Sequence, residues 1–397
     1  MTIKKSLEVC VAGHTCLDVR HSSNKASLKI IKEIQPGATE NPVGNLTYIT
    51  YSIPQNLVNR MAGFIREASE VPNGVATGGT VSNCGIPLSY LLGSTGVVLM
   101  AKRGLDPVGD KIEEIVKSHH KGPLVFLRGN ESSSYTIIVQ VNGQSHYFHC
   151  PGSNDAFGPD DLNWDLIKDS RFFAFGYPPL MKKWHVLDFT LGDSYKKAKD
   201  LGCRTYLDMH GGMGSDNRKW QRILKNALMH VDVFNPNLEE ALSIADPDYL
   251  RKLREREREE KEKGNLDFDV IDAMDNPRAI LTGFGDYYHS IGARAVLIKC
   301  GKHGLYLSTN KDNPNGWKNI QVFVPAYIPK ELVDTTGAGD NVMAAVIAGD
   351  VRGYDAIQCL ELGVAAGLRN VESQGSTSLR SFNDLKTINR IRRKSLF

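Results

Sequence analysis

The sequence predicts an α/β fold in which a mainly parallel sheet is covered by helices on both faces. Short apolar segments with strand composition alternate with helical segments along most of the chain. The length of 397 residues permits one large α/β domain with an appendage, or two or three small domains. A hydrophobic fraction of 41% and a charged fraction of 23% are ordinary for a globular protein, and a net charge of +3 gives no case for nucleic-acid binding.

The cysteine pattern and the apolar segments predict a cytoplasmic protein that does not contact a membrane. The seven cysteines are scattered and none form a CxxC pair, so we expect reduced thiols. Residues 1–13 contain only a short apolar run, which is typical of a leader into a first strand rather than of a signal peptide. No segment approaches the ~18 apolar residues of a membrane-spanning helix.

The first α/β elements are predicted between residues 7 and 119. The run LEVCVAG at 7–13 predicts a buried strand that ends at a glycine. Residues 76–93 predict a glycine turn followed by a helix, and residues 95–104 predict another buried strand. An Asp-Pro pair then begins a helix at 106–119, as an N-cap followed by proline at the first helical position.

Two further segments indicate a smaller β structure. Residues 20–75 lack helical periodicity, and the run LTYITYSI at 46–53 has strand composition, so this part is either an accessory sheet or a long loop. Residues 133–149 alternate around Asn142 and Gly143, which form a strong two-residue hairpin turn. We therefore predict a two-stranded ribbon inserted between the α/β units.

The strand–helix alternation returns from residue 171 onward. Residues 248–264 interrupt it with charges of both signs at helical spacing. This run is typical of a solvated helical insert, and docking of a partner is the alternative. Its mixed charge makes it a poor ligand for a nucleic-acid backbone.

The strongest local signal is the string VDTTGAGDN at residues 333–341. Glycines let the backbone bend until several N–H groups point at one place, and the helix predicted at 338–348 adds its free N–H groups and positive dipole end. Such a turn suits an anionic oxygen. Asp340 lies in the first helical turn, so it could take the proton of an alcohol while the amides stabilise a transferred phosphoryl group. The alternative is a helix N-terminus with an ordinary acidic cap.

Three strings, in this order, resemble the motifs of one enzyme family: TGGTVSN at 77–83, NPNLEE at 235–240 and DTTGAGDN at 334–341. The chain resembles the ribokinase-like (PfkB) family of carbohydrate and nucleoside kinases. The resemblance implies a three-layer α/β sandwich with a small β lid, ATP as phosphate donor, Mg²⁺, and a hydroxyl group as acceptor. The catalytic residues that it implies are Asp340 as base and the amides of Gly337, Ala338 and Gly339 as anion hole.

The resemblance also implies a single catalytic domain over residues 1–397. Its lid would come from parts of about 20–75 and 133–150, and a charged helical insert would occupy about 246–290. Lid sheets in this family often pair between subunits, so we expect a homodimer. Asn341 stands where relatives usually carry a small residue, and we expect it to alter packing more than chemistry.

The acceptor sugar is expected between the end of the first strand and the glycine turn near residue 78. A carboxylate can accept two neighbouring hydroxyl groups, and glycines let backbone amides approach a sugar. Plain capping and turn roles are the alternatives. Cys16 and Thr80 differ from the residues that ribokinases carry, which indicates a different substrate. The substrate-binding residues that the resemblance implies are Asp18, Gly78, Gly79 and Asn83.

The nucleotide and its metal are expected at the later motifs. Glu240 would hold Mg²⁺ through water, because this hard cation keeps most of its hydration shell. Asn237 and Glu240 also have the spacing of a helix capping box, which is the alternative. Asp334 is the candidate ligand of a monovalent cation, since some relatives use potassium (K⁺) near the anion hole. The cofactor-binding residues implied are Asn237, Glu240, Lys299, Gly301, Gly304 and Thr336.

A few other polar positions are weaker candidates. Asn154 and Asp155 follow the predicted ribbon and are either substrate ligands or turn residues. Asp208 follows a predicted strand, at the end of a parallel sheet where ligands gather. His149 and His210 have no metal-ligand spacing with another Cys or His, so we predict no zinc site.

We predict an ATP-dependent kinase of a small sugar or sugar-like alcohol. The first alternative is a nucleoside kinase, in which Tyr48, Tyr51 or Phe148 would stack on a base, although a sugar ring can also lie on such faces. The second is a non-catalytic sugar-sensing protein of the same fold. Asp340 and the intact GAG turn (residues 337–339) argue against the sensor, because binding alone needs neither.

Overall fold

The structure is a computed structural model that describes residues 5–21, 38–40, 46–49, 74–141, 144–211, 217–313, 316–375, 379, 381–386, 388 and 390–397. Within these residues the strands are β1 (Leu7–Gly13), β2 (Cys16–His21), β3 (Ala38–Glu40), β4 (Leu46–Ile49), β5 (Val75–Gly78), β6 (Val97–Gly104), β7 (Leu124–Gly129), β8 (Tyr135–Val141), β9 (Gln144–Cys150), β10 (Ser170–Gly176), β11 (Arg204–Asp208), β12 (Val233–Asn235), β13 (Ala295–Lys299), β14 (Gly304–Thr309) and β15 (Gln321–Pro325).

The α-helices within the same residues are α1 (Thr80–Asn83), α2 (Gly85–Leu92), α3 (Pro107–His119), α4 (Trp164–Asp169), α5 (Thr190–Asp200), α6 (Asn217–Ala227), α7 (Leu238–Ala245), α8 (Pro247–Glu262), α9 (Pro277–Ser290), α10 (Ala338–Val351), α11 (Ala356–Val371) and α12 (Phe382–Lys386). None of these helices is long and apolar enough to cross a membrane.

The larger sheet has nine strands in the order β15-β14-β13-β12-β11-β10-β1-β6-β7. The strands from β13 to β7 in this order pair in parallel, and β14 and β15 add an antiparallel edge. Parallel neighbours need crossover connections, which the intervening helices supply. The predicted mainly parallel sheet is confirmed.

Helices cover both faces of this sheet. Along β1, Val9 and Val11 point into one apolar core, and Cys10 and Ala12 point into the other. The first core is closed by α2, α3, α10 and α11, and the second by α5, α6, α7 and α9. Burial on both faces explains why the strands read as nearly continuous apolar runs rather than as alternating ones.

The smaller sheet has six strands in the order β3-β4-β9-β8-β2-β5. Strands β8 and β9 pair antiparallel where the sequence predicts the ribbon, although Asn142 and Gly143 at its turn lie outside the described residues. Strand β2 begins three residues after β1 ends, so the chain passes directly from the larger sheet into the smaller one. Most of the predicted 20–75 segment, including Tyr51, lies outside the described residues.

The charged run lies on α8, which begins after the N-cap Asp246. Its exposed side carries i,i+4 ion pairs, whereas Leu250 and Leu253 are buried and join the second core. The segment between α8 and α9 then returns to the edge of the sheet, where residues 269–271 line a cavity.

Candidate active site

A cavity of about 570 Å³ opens at the carboxyl ends of the parallel strands. Its lining includes His14 after β1, Tyr177 after β10, Asp208 at the end of β11, Asn237 after β12 and Lys299 at the end of β13. This is the edge of an open α/β sheet at which ligands bind. The predicted site residues that line it are Asp18, Gly79, Asn83, Asn237, Glu240, Lys299, Gly301, Thr336, Gly337, Gly339 and Asp340.

Asp340 lies in the first turn of α10 and is only 3% exposed. Its Oδ2 accepts a hydrogen bond of 2.6 Å from the Tyr177 hydroxyl group. Burial and the nearby Asp208 carboxylate raise the pKa of Asp340 to about 7, against the opposing effects of Tyr177, Lys299 and Asn83. A carboxyl group with a pKa near 7 is well matched to act as a general base for an alcohol at neutral pH.

The GAG turn presents amide donors directly before Asp340. Gly337 has a φ of 75°, which a residue with a side chain rarely adopts. The Ala338 N–H donates to the Thr335 carbonyl group at 3.2 Å, whereas the Gly337 and Gly339 amides donate no hydrogen bond within the described residues. The Ala338 amide is thus engaged in the turn, and the three-amide anion hole stays a prediction.

Lys299 places a positive charge among buried carboxyl groups. Its Nζ lies 2.5 Å from Asp208 Oδ1, and a Cβ atom built on Gly339 would lie 3.4 Å from the same Nζ. Burial lowers the pKa of Lys299, but Asp208 and Glu240 outweigh this effect and raise it. The lysine therefore stays charged beside the turn, where it offsets the charge of the neighbouring carboxyl groups.

Asn237 and Glu240 form the capping box that the sequence offered as an alternative. The Asn237 amide N–H donates to Glu240 Oε2 at 2.8 Å, and the Glu240 amide N–H donates to Asn237 Oδ1 at 2.8 Å. Both residues nevertheless line the cavity. Burial raises the pKa of Glu240 to about 7, with Lys299 lowering it and Asp208 raising it further. Asn237 and Glu240 can therefore cap α7 and still contact a ligand in the cavity.

The smaller sheet contributes Asp18 to the cavity. This side chain is 7% exposed, and its Oδ1 accepts a hydrogen bond from Cys16 Sγ at 3.3 Å. Burial raises the pKa of Asp18 to about 6, against the opposing effects of Cys16, Arg20 and Thr136. A Cβ atom on Gly78 of β5 would overlap the Asp18 carboxylate, so Gly78 makes room for Asp18 instead of lining the cavity itself.

Comparison with known proteins decides the family. A family model described as pfkB family carbohydrate kinase matches residues 280–381. Ribokinase of Arabidopsis thaliana is 32% identical over 315 residues, which span 78% of this chain and 70% of the ribokinase. The chain belongs to the pfkB family of carbohydrate kinases. This carbohydrate kinase is also 24% identical over 324 residues to the ATP-dependent 6-phosphofructokinase of Thermoanaerobacterium thermosaccharolyticum, which span 78% of this chain and 86% of that enzyme.

Solved structures confirm the ribokinase-like fold of this carbohydrate kinase. The structure of Arabidopsis thaliana ribokinase complexed with ribose and ATP has a TM-score of 0.61 at 18% identity and covers 96% of this chain and 97% of that one. An E. coli protein assigned as ribokinase II, in complex with ATP and Mg²⁺, has a TM-score of 0.63 at 15% identity, with 96% and 98% covered. Adenosine kinase of Sinorhizobium meliloti has a TM-score of 0.64 at 17% identity, with 97% and 98% covered.

Tyr177 and His14 were not identified from the sequence, and the nearby His149 and His210 were considered only as zinc ligands. Tyr177 has a left-handed backbone, with φ 65°, and its ring lies 5.8 Å from that of His14 and 4.7 Å from that of His210. The Nε2 atoms of His14 and His149 are 3.2 Å apart. Burial lowers the pKa of His149 to about 3 and that of His210 to about 4, so these rings are neutral. In the sequence, only their positions directly after predicted strands indicated that His14 and Tyr177 could lie at a ligand site.

Two further predicted residues of the carbohydrate kinase do not line the cavity. Gly304 has φ 133° and packs against the Val324 carbonyl group, so its role is in the turn between β13 and β14. Asp334 is bound by Arg20, whose Nη2 lies 2.6 Å from Asp334 Oδ2.

Some weaker candidates have structural roles. Asn154 accepts a hydrogen bond from the Thr15 amide and donates to the Thr15 carbonyl group, and Asp155 accepts from the Lys182 amide. The side chains of the aromatic residues proposed for base stacking, Tyr48, Tyr51 and Phe148, lie outside the described part of the structure.

Proposed function

We propose that this carbohydrate kinase transfers the γ-phosphoryl group of ATP to a hydroxyl group of a small sugar. The observation that carries the proposal is the position of Asp340, a buried carboxylate with a pKa raised to about 7, between the Tyr177 hydroxyl group and the GAG turn. Ribokinase structures with ATP, one with ribose and one with Mg²⁺, support the choice of donor and acceptor.

In the proposed step, Asp340 accepts the proton of the sugar hydroxyl group as its oxygen attacks the γ-phosphorus. The bond from this phosphorus to the bridging oxygen of the β-phosphate breaks, and ADP leaves. The Gly337 and Gly339 amides donate to the oxygens of the transferred group, and the N-terminal end of α10 adds its positive dipole. Tyr177 holds the carboxylate in place by its hydrogen bond to Oδ2.

The acceptor side of the proposed site is polar and contains neutral imidazoles. Asp18, Asn83 and Thr136 all line the cavity and offer hydrogen-bonding groups of the kind that sugar hydroxyls need. His14 and His149 lie beside them, and burial lowers both pKa values, with their mutual repulsion lowering that of His14 further. Uncharged rings can donate and accept hydrogen bonds, which suits a neutral polyhydroxy substrate.

The donor side comprises Asn237, Glu240, Lys299, Gly301 and Thr336. Glu240 suits Mg²⁺, because this cation prefers oxygen ligands and usually keeps several of its water molecules. Each Glu240 oxygen accepts a hydrogen bond from Asn237 and retains further acceptor capacity for a metal-bound water. When bound, Mg²⁺ neutralises charge on the phosphates.

Pairing of the smaller sheet between two subunits, and hence a homodimer, stays a prediction.

The proposed function is tested by measuring ADP release from ATP with ribose, fructose, ketodeoxygluconate, adenosine and inosine as acceptors. We expect turnover with at least one sugar, and we expect Asp18→Ala to raise the KM for that sugar by about tenfold, because it removes a hydrogen-bonded carboxylate from the acceptor side. Turnover with the nucleosides alone would make the protein a nucleoside kinase. Sugar binding in calorimetry without any ADP release would make it a sensor.

The pH dependence of the reaction should report the ionisation of Asp340. Only the charged carboxylate accepts a proton, so kcat/KM should fall as the pH decreases through about 7, the raised pKa of Asp340. Tyr177→Phe removes a donor to the charged form, and the acid limb should move up by about half a unit to one unit while the rate at high pH changes little.

The groups that also face Asp340 are Asp208, Lys299, Asn83 and Cys84, and Tyr177→Phe retains all of them. Tyr195→Phe is the matched control, because it removes a buried hydroxyl group that donates to the Tyr206 carbonyl group away from the cavity. An acid limb at the same pH in wild type, Tyr177→Phe and Tyr195→Phe would mean that Tyr177 does not act on the base.

A further inference from the structure

Arg20 connects the smaller sheet to the loop that precedes the GAG turn. It lies on β2, and its Nη2 is 2.6 Å from Asp334 Oδ2, a residue 314 positions away in the sequence. The two side chains are 21% and 12% exposed, so this ion pair is mostly shielded from water. Arg20 and Asp18 are two residues apart on one strand and therefore project from the same face of the smaller sheet.

The Asp334 carboxylate is fully engaged in this arrangement. Its Oδ1 accepts a hydrogen bond from the Thr336 amide at 2.9 Å, and its Oδ2 accepts one from the Gly375 amide at 3.0 Å in addition to Arg20. Burial raises the pKa of Asp334, but these amides and the charge of Arg20 outweigh it, and the pKa is lowered. A monovalent cation would have to displace the guanidinium group, so the residues present do not fit the potassium site predicted at Asp334.

The same carboxylate fixes the backbone of the catalytic turn. The Thr336 amide is bound by Asp334, and the Thr336 carbonyl group accepts a hydrogen bond of 3.0 Å from Asn370 Nδ2. Asn341 Nδ2 donates to Asn370 Oδ1 at 2.9 Å and to the Gly337 carbonyl group at 3.0 Å. Side chains therefore bind the amide and carbonyl groups of Thr336 and the carbonyl group of Gly337. Asp334 is the side chain that binds the Thr336 amide.

We propose that Arg20 is a positioning residue that supplies, from within the chain, the positive charge at Asp334, so that catalysis needs no monovalent cation. This inference rests on the proposed role of the GAG turn as anion hole. Without Arg20, the Asp334 carboxylate would lose its ion-pair partner, and Asp18 would lose a nearby positive charge. The backbone that Asp334 binds would then follow an unneutralised carboxylate. A cation from solution could then bind at the Asp334 carboxylate and partly restore the position of the turn.

The test compares wild type, Arg20→Ala and Arg20→Lys in potassium, sodium and tetramethylammonium chloride at equal ionic strength. Wild-type kcat should vary less than about twofold among these salts. Arg20→Ala should lower kcat by about tenfold to a hundredfold, because small displacements of catalytic donors are costly, and potassium or guanidinium should restore part of the loss. Arg20→Lys should keep more activity than Arg20→Ala, without a need for potassium.

Arg294→Ala is the matched control, since Arg294 is a partly exposed arginine that pairs with the buried Asp232 at 3.1 Å and does not line the cavity. Its activity should not respond to the choice of cation. Activation of the wild type by potassium would overturn the proposal, and so would an Arg20→Ala variant with wild-type activity. Equal inactivity of Arg20→Ala and Arg20→Lys in all salts would overturn it as well.

A measurement without substrate separates this proposal from the proposed function. The melting temperature of Arg20→Ala should rise in potassium or guanidinium at low concentration relative to tetramethylammonium, whereas that of the wild type should not. This difference is expected even if no sugar of the panel is phosphorylated. Equal responses of the two proteins would overturn the role of Arg20 as the resident cation.

Discussion

Asp340→Asn is expected to lower kcat for sugar phosphorylation by at least a factor of about 100 while ATP affinity stays within a few-fold of wild type. The amide has nearly the shape of the carboxylate, and it can still accept the hydrogen bond from Tyr177. It cannot take up a proton from the sugar. The expected result is therefore loss of the transfer step with the binding of ATP retained, measured by ADP release and by calorimetric titration of ATP.

Asp188→Asn is the matched control for this change. Asp188 is partly exposed, pairs with Arg222 at 2.6 Å and does not line the cavity. The same acid-to-amide replacement there should leave kcat within about twofold, as for other surface ion pairs. A rate in Asp340→Asn above a tenth of the wild-type rate would show that Asp340 is not the base.

Lys299→Met is expected to have the second large effect, on both stability and activity. The side chain of Lys299 is 11% exposed, and its ammonium group pairs with Asp208, whose side chain is 1% exposed. Removing one partner of a buried ion pair costs about 3–5 kcal/mol, because the remaining charge is left without compensation. Lys299 also lowers the pKa values of Asp340 and Glu240, so both should rise in the variant and activity at pH 7 should decrease further.

The control is Lys302→Met, three residues later in the chain. The Lys302 ammonium group lies 2.7 Å from Asp272 and close to Asp267 and Asp269, and these carboxylates are more exposed than Asp208. Its loss should cost about 1 kcal/mol or less. Urea unfolding of both variants provides the comparison, and equal stability of Lys299→Met and Lys302→Met would contradict the assignment of Lys299 as a buried counter-ion.

The sequence predicted those parts of the site that depend on local chain geometry. The GAG turn requires a left-handed residue and a helix start, and Gly337 and Asp340 occupy these positions. The spacing of Asn237 and Glu240 likewise offered a capping box as the alternative to a metal-binding role, and the structure contains this box. Both features arise within a few residues of chain, so a local pattern is sufficient to identify them.

The parts that were missed depend on contacts between distant segments. Tyr177 reaches Asp340 across 163 positions, and Arg20 reaches Asp334 across 314. Asn341, which was expected to alter packing more than chemistry, donates to Asn370, 29 positions away. No local pattern contains these pairings, because the sheet order brings the strand ends together only after folding.

The most direct test of the account is a single-turnover measurement of phosphoryl transfer, with enzyme in excess over γ-labelled ATP and with saturating sugar. This isolates the chemical step from product release, which limits kcat in many enzymes. We expect rapid conversion of label into sugar phosphate by the wild type and a transfer rate at least about 100-fold lower in Asp340→Asn with ATP fully bound. Transfer at the same rate in both proteins would contradict the role of Asp340 as the base.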